Sequence, residues 1–423
     1  MTVRNTLRRT RIPNWYELYR EACPVCGKVG GCMINNEGAA VACIRTESDT
    51  TFSKNSSAPS WLHFLKGKKK REKIDAVAVE KMGEEKRENS FLHTVFRGLI
   101  DCTTLSDAHY EHLTSPSRQL TDEQIYVREY RSFPEKPWAT AKEIQSLTGI
   151  QDFTGVPGFF EAKGKYGPLW NIAGGEGILI PFRNHYNEIV GFQYRVDNPP
   201  NVATLSRGEK GLQATVKEQP NLVQVSYEGE IIFEEYLELK KPANLFQGTK
   251  HFGTVELKKG NRYFWVSSGK KPKGTGAGDP TPVHIAVPSE RLRNWKTGTL
   301  MKANTAWISE GPLKCDIASE LTSQLFDPLE LDDVGTTFLA LPGAGGWRLA
   351  IPILQEMGVK KVNFAFDADS MSNPFVKVHL LECLKECKKL GFEGNLVIWN
   401  ENEYKGIDDA LISRVLPQFK RLF

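Results

Sequence analysis

From residue 303 onward the chain alternates between two periodicities. The runs TAWISEG, TFLALPG, KVNFAFDAD and NLVIWNE are short and apolar, and they predict strands. Between and after them, PLKCDIASELTSQ, WRLAIPILQEMG, PFVKVHLLECLKECKKLG and KGIDDALISR predict helices. Alternating β and α elements of this length imply an α/β fold, a mainly parallel sheet covered by helices. On the longest helix, Val376, Leu380, Leu381, Leu384 and Leu390 define the face expected to pack.

Upstream the pattern is mixed, an α+β middle region. SFLHTVFRGLIDCTTL carries Phe91, Leu92, Val95, Phe96, Leu99 and Ile100 at helical spacing, and residues 89–165 read as mostly helical, with Thr121 as an N-cap. Residues 176–300 read as β-rich. EGILIPFRN and EIVGFQYRVD predict a hairpin, and RYFWVSSG and VHIAVP, on either side of a Gly/Pro/Lys loop, predict another strand pair. Residues 53–88 are polar and charged, KNSSAPS followed by KGKKKREK, and read as a linker. The expected domains are therefore 1–52, a linker over 53–88, a middle region over 89–300 and the α/β domain over 301–423.

The chain has 423 residues, 40% hydrophobic and 25% charged, which suits a folded soluble protein of two or three domains. No apolar run reaches the roughly 18 residues that span a bilayer. The basic N-terminus lacks the apolar core of a signal peptide, so a reducing cytoplasm and no membrane are expected. The net charge of +4 is uninformative, but its distribution is not. Arg4, Arg8, Arg9 and Arg11 crowd the N-terminus. Lys66, Lys68, Lys69, Lys70, Arg71 and Lys73 crowd a second stretch. Such clusters suit a polyanion or, equally, a solvated linker.

Of eight cysteines, four lie within residues 23–43. Cys23-Pro-Val-Cys26-Gly forms the first pair; Cys32 and Cys43 follow. MINNEGAAVAC reads as a hairpin that returns Cys43 towards that pair. Four thiolates close a tetrahedral structural Zn²⁺ site, a small zinc ribbon with no open position; free thiols or a redox pair are the alternatives. Arg45, Trp15 and Tyr16 lie beside it as candidate DNA contacts.

Two predicted strands end in acids: Glu310 after the first, Asp367 and Asp369 after the third. In parallel α/β sheets, sites form at the carboxyl ends of strands. Clustered carboxylates repel unless cations sit among them, and hard oxygen ligands favour Mg²⁺ or Mn²⁺. Asp408, starting the last helix, flanks the same edge. An Asp-x-Asp alone is a weak signal, commonly a turn or a cap; its pairing with Glu310 across the intervening β and α elements strengthens it.

With these residues in place, residues 303–415 resemble the Toprim domain of bacterial-type primases, type IA and II topoisomerases and some nucleases. ISEGPLKCDIAS and LALPGAGGW are also similar to the Toprim-like region of proteins carried by plasmids, phages and integrative elements, where a cysteine cluster likewise opens the chain. The resemblance implies a primase-like nucleotidyltransferase that makes primers on single-stranded DNA for a mobile element or phage. Glu310 would act in acid/base chemistry or metal placement, and Asp367 and Asp369 would hold divalent metal. Lys314, and Arg348 after the Gly343-Ala-Gly-Gly loop, would meet phosphate. Arg183 and Arg195 would face primer or nucleoside triphosphate. Lys270 and Lys271, on a basic loop expected to be flexible, would touch backbone phosphates. Each of these basic side chains has surface exposure as its plain alternative. The spacing of Cys32 and Cys43 departs from the paired Cys-x-x-Cys form of many ribbons, so template preference does not carry over. The P-loop pattern GxxxxGK[ST] is missing, which makes any replicative helicase a separate partner. A Toprim nuclease and a non-catalytic DNA-binding replication factor are the two alternatives.

Overall fold

The computed structural model describes residues 6–10, 12–53, 59–67, 83–206, 211–248, 250–278, 280–367 and 374–423. Arg4, Arg11, Asp369 and the basic run from Lys68 to Lys73 lie outside the described residues. The chain forms two units, one made of residues 1–174, 179–193 and 265–423, the other of 175–178 and 194–264.

The larger unit begins with an antiparallel sheet of six short strands: β1 (Arg8–Arg9), β2 (Trp15–Glu17), β3 (Met33–Asn35), β4 (Ala40–Cys43), β5 (Thr51–Ser53) and β6 (Ser60–Phe64). β6 pairs with both β4 and β5, so the sheet runs past the expected boundary at residue 52. Part of the expected linker is therefore a strand. Ser60 is buried at its start and Phe64 exposed at its end.

Helices α1 (Asn89–Asp101), α2 (Asp107–Thr114), α3 (Asp122–Arg128) and α4 (Pro137–Thr148) follow, with the short strand β7 (Arg131–Ser132) between the last two. Leu92, Val95, Phe96, Leu99 and Ile100 are buried on one face of α1, as the spacing predicts, whereas Phe91 is only half-buried. Thr121 caps α3 in a reciprocal capping box with Gln124. A hairpin of β8 (Phe159–Gly164) and β9 (Gly167–Ile172) comes next. Then β10 (Gly177–Arg183) and β11 (Ile189–Val196) form the predicted second hairpin.

The smaller unit was not foreseen as a separate body within residues 89–300. It holds β12 (Val202–Ser206), β13 (Leu212–Glu218), β14 (Leu222–Tyr227), β15 (Glu230–Tyr236), β16 (Pro242–Gln247) and β17 (Lys250–Lys258). These make two three-stranded sheets, β12-β17-β16 and β13-β14-β15, around Val223, Val225, Leu245, Phe252, Val255 and Leu257. The chain leaves this unit along β18 (Tyr263–Trp265).

The C-terminal part of the larger unit carries a second six-stranded sheet, built from β19 (His284–Ala286), β20 (Thr305–Glu310), β21 (Thr337–Leu341), β22 (Lys361–Phe364), β23 (Glu393–Ile398) and β24 (Gln418–Arg421) in the order β19-β21-β20-β22-β23-β24. The three inner pairings are parallel and both edge pairings antiparallel. The sheet thus recruits β19 from before the expected boundary at 301, and the expected pairing of β18 with β19 does not form: β18 lies beside β11 and β19 pairs with β21. Helices α5 (Ser289–Asn294), α6 (Pro312–Leu325), α7 (Leu331–Val334), α8 (Trp347–Met357), α9 (Pro374–Lys389) and α10 (Ile407–Ile412) complete the described elements. The core joins Ala306, Ile308, Leu339, Val362 and Phe364 of the strands to Leu354, Leu380, Cys383 and Cys387 of α8 and α9. Of the face expected on α9, Leu380 is buried and Val376 and Leu384 pack against this core, but Cys383 and Cys387 complete it while Leu381 and Leu390 are exposed.

Buried charges tie α3 to α6. Arg128 Nη2 donates to a Glu320 oxygen at 2.9 Å and to the Asp316 carbonyl at 3.0 Å. Tyr130 Oη donates to Asp316 Oδ2 at 2.6 Å. The Arg183 backbone N–H donates to His284 Nδ1 at 3.0 Å, which leaves the ring proton on Nε2, 3.1 Å from Asp316 Oδ1. Among the described residues no helix is long and apolar enough to cross a membrane.

Candidate functional site

The acidic site follows from strand register. β20 lies between β21 and β22, with Glu310 opposite Leu341 and Ile308 opposite Phe364. The Ala365 N–H donates to the Ile308 carbonyl at 2.9 Å and carries the pairing one residue past β22. Glu310 and Asp367 thus leave the carboxyl ends of adjacent parallel strands. Gly311 adopts φ +82°, a left-handed conformation that lets the chain turn from β20 into α6, and Pro312 opens the helix where its missing N–H costs nothing.

One helical turn on, Lys314 sends its Nζ to both carboxylate oxygens of Asp367, at 2.5 and 2.7 Å. Burial pushes the Lys314 ammonium pKa down, but Asp367 and Asp408 outweigh it and the pKa rises. Asp408 sits in the first turn of α10 with its side chain only 2% exposed. Burial raises its pKa to about 6, against the opposing pull of Lys314 and Arg118. Arg118 Nη1 lies 3.4 Å from Asp408 Oδ2, and Asp408 Oδ1 is buried with no hydrogen-bond partner. A side chain at Gly406 would put Cβ 2.5 Å from Asp408 Oδ1 and 3.1 Å from Lys314 Cδ, so glycine there leaves room for both.

Carboxylate oxygens suit Mg²⁺ or Mn²⁺, and the tips of β20 and β22 bring Glu310 and Asp367 to one edge. Among the described residues, though, the acids do not converge as a set of three metal ligands. Asp369 lies outside the described residues, and Lys314 engages both oxygens of Asp367. The donor type is the one a divalent ion takes, and among the described residues the ammonium holds both Asp367 oxygens.

The cysteines do converge. Cys23, Cys26, Cys32 and Cys43 each offer a sulfur within 4.8 Å of the others. The Cys26–Cys32 and Cys32–Cys43 Sγ separations are both 3.7 Å. Tetrahedral Zn²⁺ with Zn–S bonds of about 2.3 Å requires sulfurs about 3.8 Å apart, so the set fits zinc. The Val25 N–H donates to Cys23 Sγ at 3.4 Å, and those of Arg45 and Thr46 donate to Cys43 Sγ at 3.4 and 3.3 Å. Arg45 Nη1 lies 3.6 Å from Cys32 Sγ and 3.9 Å from Cys26 Sγ, and donates to the Gly30 carbonyl at 2.9 Å. It sets positive charge against the sulfurs, a role its place beside the cluster did not reveal.

The other basic candidates are placed differently from expectation. Arg183 is buried and ion-paired with Glu129, which Arg97 also holds, and it donates to Asn187 Oδ1 at 3.0 Å. A pair inside the fold, not a nucleotide, takes its charge. Arg195 is buried in β11, on the smaller unit. Arg348 lies with its guanidinium 4.1 Å from the centre of the Trp347 ring and pairs with Glu382 of α9 at 2.7 Å. It therefore ties α8 to α9. The Gly343 loop folds into a 3-10 turn over Ala344–Gly346 that leads into α8. The basic loop of Lys270 and Lys271 is pinned rather than loose. Buried Ser268 donates from its hydroxyl to the Phe159 carbonyl at 2.6 Å, and the Glu161 N–H donates to the Pro272 carbonyl at 2.9 Å. Beside the zinc site, Tyr16 is buried, and Trp15 packs against Phe52 with ring centres 4.4 Å apart.

No family model matches the chain, and no curated protein matches it. Among solved structures it is similar to the primase of Aquifex aeolicus (zinc-binding and RNA polymerase domains), at 11% identity and a TM-score of 0.42 over 98% of this chain and 81% of that one. The RNA polymerase domain of Mycobacterium tuberculosis primase DnaG gives 12% identity and 0.42, over 78% and 83%. The DnaG primase catalytic domain bound to single-stranded DNA gives 10% and 0.36, over 78% and 80%. The structural neighbours are thus primase cores, and similarity this low assigns no residue a role.

Proposed function

We propose that the chain is a primase-like nucleotidyltransferase whose Toprim-type site lies at the tips of β20 and β22. The observation that carries the reading is the exit of Glu310 and Asp367 from adjacent parallel strands, with Lys314 bridging to Asp367. The resemblance of residues 303–415 to Toprim sequences supports it, as does a four-thiolate zinc site at the head of the chain. In this reading the N-terminal sheet contacts single-stranded template, residues 89–300 carry template and nucleoside triphosphate, and the C-terminal sheet does the chemistry. A separate helicase opens the duplex, and the host replicon is a phage, plasmid or integrative element.

Glu310, Asp367 and Asp369 would hold Mg²⁺ or Mn²⁺, with Asp408 behind them. The ion would offset triphosphate charge and ease ionisation of the attacking 3′-hydroxyl. That hydroxyl oxygen bonds to the α-phosphorus as the bond to the bridging oxygen breaks, and pyrophosphate leaves with the electron pair. Glu310 accepts the hydroxyl proton. Lys314 exchanges its bond to Asp367 for a phosphate oxygen and so moves positive charge to where negative charge gathers. Arg118 holds Asp408 in place from the α2–α3 connection.

The test is nucleotide incorporation on single-stranded template with Mg²⁺ or Mn²⁺, using wild type, Glu310→Gln and Asp367→Asn. New oligonucleotides from wild type alone support the reading. A shortened template makes the site a nuclease, and no product from any of the three leaves a DNA-binding factor.

A further inference from the structure

The smaller unit carries a sheet edge that nucleotide transfer at Glu310 and Asp367 does not use. β15 (Glu230–Tyr236) is the last strand of the sheet β13-β14-β15, and among the described residues no strand pairs with its far side. In an antiparallel pair each residue directs its N–H and C=O to the same side, alternately towards and away from its neighbour. Every second residue of β15 therefore offers both groups beyond the sheet, where a further strand can take them.

A bulge sets which side chains border that edge. Val225 of β14 lies opposite Phe233 and Ser226 opposite Ile231, so Ile232 is the extra residue. Directly opposed residues share a face. Glu230, Phe233 and Glu235 therefore stand on the face of Tyr227, Val225 and Val223, which pack into the core of the unit. Ile231, Glu234 and Tyr236 stand on the other face, opposite Ser226, Gln224 and Leu222. Ile231 is 59% exposed and Tyr236 69%. Residues 228–236 hold Glu228, Glu230, Glu234 and Glu235 and no Lys or Arg. Lys217 and Gln224 donate to Glu234 at 2.7 and 2.5 Å. Glu228, Glu230 and Glu235 are exposed and make no salt bridge among the described residues, so the edge is net negative.

We propose that β15 takes up an extended, basic segment of a partner protein by strand addition. Backbone hydrogen bonds along the edge supply affinity, and side chains at alternate positions supply specificity. Lys or Arg of the partner meets Glu230 and Glu235, and apolar side chains meet Ile231, Phe233 and Tyr236. Charge selects this occupant. The carboxylates repel phosphate, which excludes nucleic acid, and they repel the same strand of a second copy. Carboxylates alone would guard an edge against pairing. Ile231 and Tyr236 run against that protection, because exposed apolar side chains on an open edge invite a strand. The surface needs neither Glu310 nor Asp367, which lie in the larger unit.

The probe is a fluorescein-labelled peptide, Val-Lys-Thr-Val-Val-Lys, written to run antiparallel from the residue beside Tyr236 to the residue beside Glu230. Anisotropy is followed as the full chain is titrated in. The peptide is expected to bind, and its counterpart with Glu at both Lys positions is not. Glu235→Lys and Tyr236→Ser are each expected to weaken binding several-fold, and only Glu235→Lys also flattens the salt dependence. Two N-methylated peptides separate strand addition from plain charge attraction. Methyl groups on one alternate set of backbone nitrogens abolish binding, and on the other set leave it, because only one edge of the added strand pairs. These peptides are tested on the wild-type chain, so the outcome does not depend on a variant folding. Equal binding of the two methylated peptides overturns the proposal, as does equal binding of the Lys and Glu peptides or no binding at millimolar peptide. A dimer of the chain that Tyr236→Ser dissolves also overturns it, by making a second copy the occupant. Glu310→Gln is expected to bind the peptide like wild type, so failure of strand addition and failure of the acidic site are read on separate proteins.

Discussion

Lys314 bridges Asp367, with Nζ 2.5 and 2.7 Å from the two carboxylate oxygens and Asp408 close enough to favour its charge. In the proposed site this built-in cation would compete with a metal for the same acid. Lys314→Gln should therefore tighten Mn²⁺ binding and slow nucleotide transfer at once, because the metal loses a competitor and the triphosphate loses a cation. Metal titration beside initial rates checks both signs. Weaker metal binding in the variant would make Lys314 a support for the site instead.

Asp408 depends on a partner from far along the chain. Arg118, in the α2–α3 connection, reaches it across 290 residues of sequence. Arg118→Met leaves the carboxylate buried with less compensation, at an expected cost on the order of 3 kcal/mol if it stays charged. Urea unfolding of wild type and variant reads this directly.

The Arg128–Glu320 and Asp316–Tyr130 contacts are buried more completely. Burial alone would raise the Asp316 pKa, but His284, Arg128 and Tyr130 together hold it below its ordinary value. A depressed carboxylate contributes stability that is full above its unfolded pKa, near 4, and is lost as pH falls through the lower folded value. Asp316→Asn should then destabilise by about 3–5 kcal/mol at neutral pH, and the gap to wild type should narrow below about pH 4. Denaturation midpoints across that range give the comparison.

The thiolate site predicts one tightly held zinc per chain. Cys26→Ser should lower zinc by elemental analysis, and a chelator should lower the melting temperature of wild type more than that of the variant. Equal zinc in both would remove Cys26 from the site.

Elements with local signals were legible in the sequence: the places of Glu310 and Asp367 after β20 and β22, the cysteine spacing, the Thr121 cap and the βα alternation after residue 303. What escaped was long-range. Arg183 carries the same local signature whether it faces a nucleotide or Glu129, and only the fold supplies Glu129, 54 residues away. The Lys270 loop reads as flexible from its Gly/Pro/Lys composition, yet Ser268 fastens it to Phe159 across a separation of 109 residues. Leu381 matches the helical stripe by hydrophobicity, but Cys383 and Cys387 complete the packed face of α9, and a cysteine rarely suggests itself as core filler.

Mn²⁺ binding to the zinc-loaded chain, followed by electron paramagnetic resonance, tests the acidic site most directly. The wild type should show a bound-ion signal that Glu310→Gln weakens and Asp367→Asn removes, with zinc content and melting behaviour unaltered. Equal Mn²⁺ binding by all three proteins would contradict a shared metal site at the tips of β20 and β22.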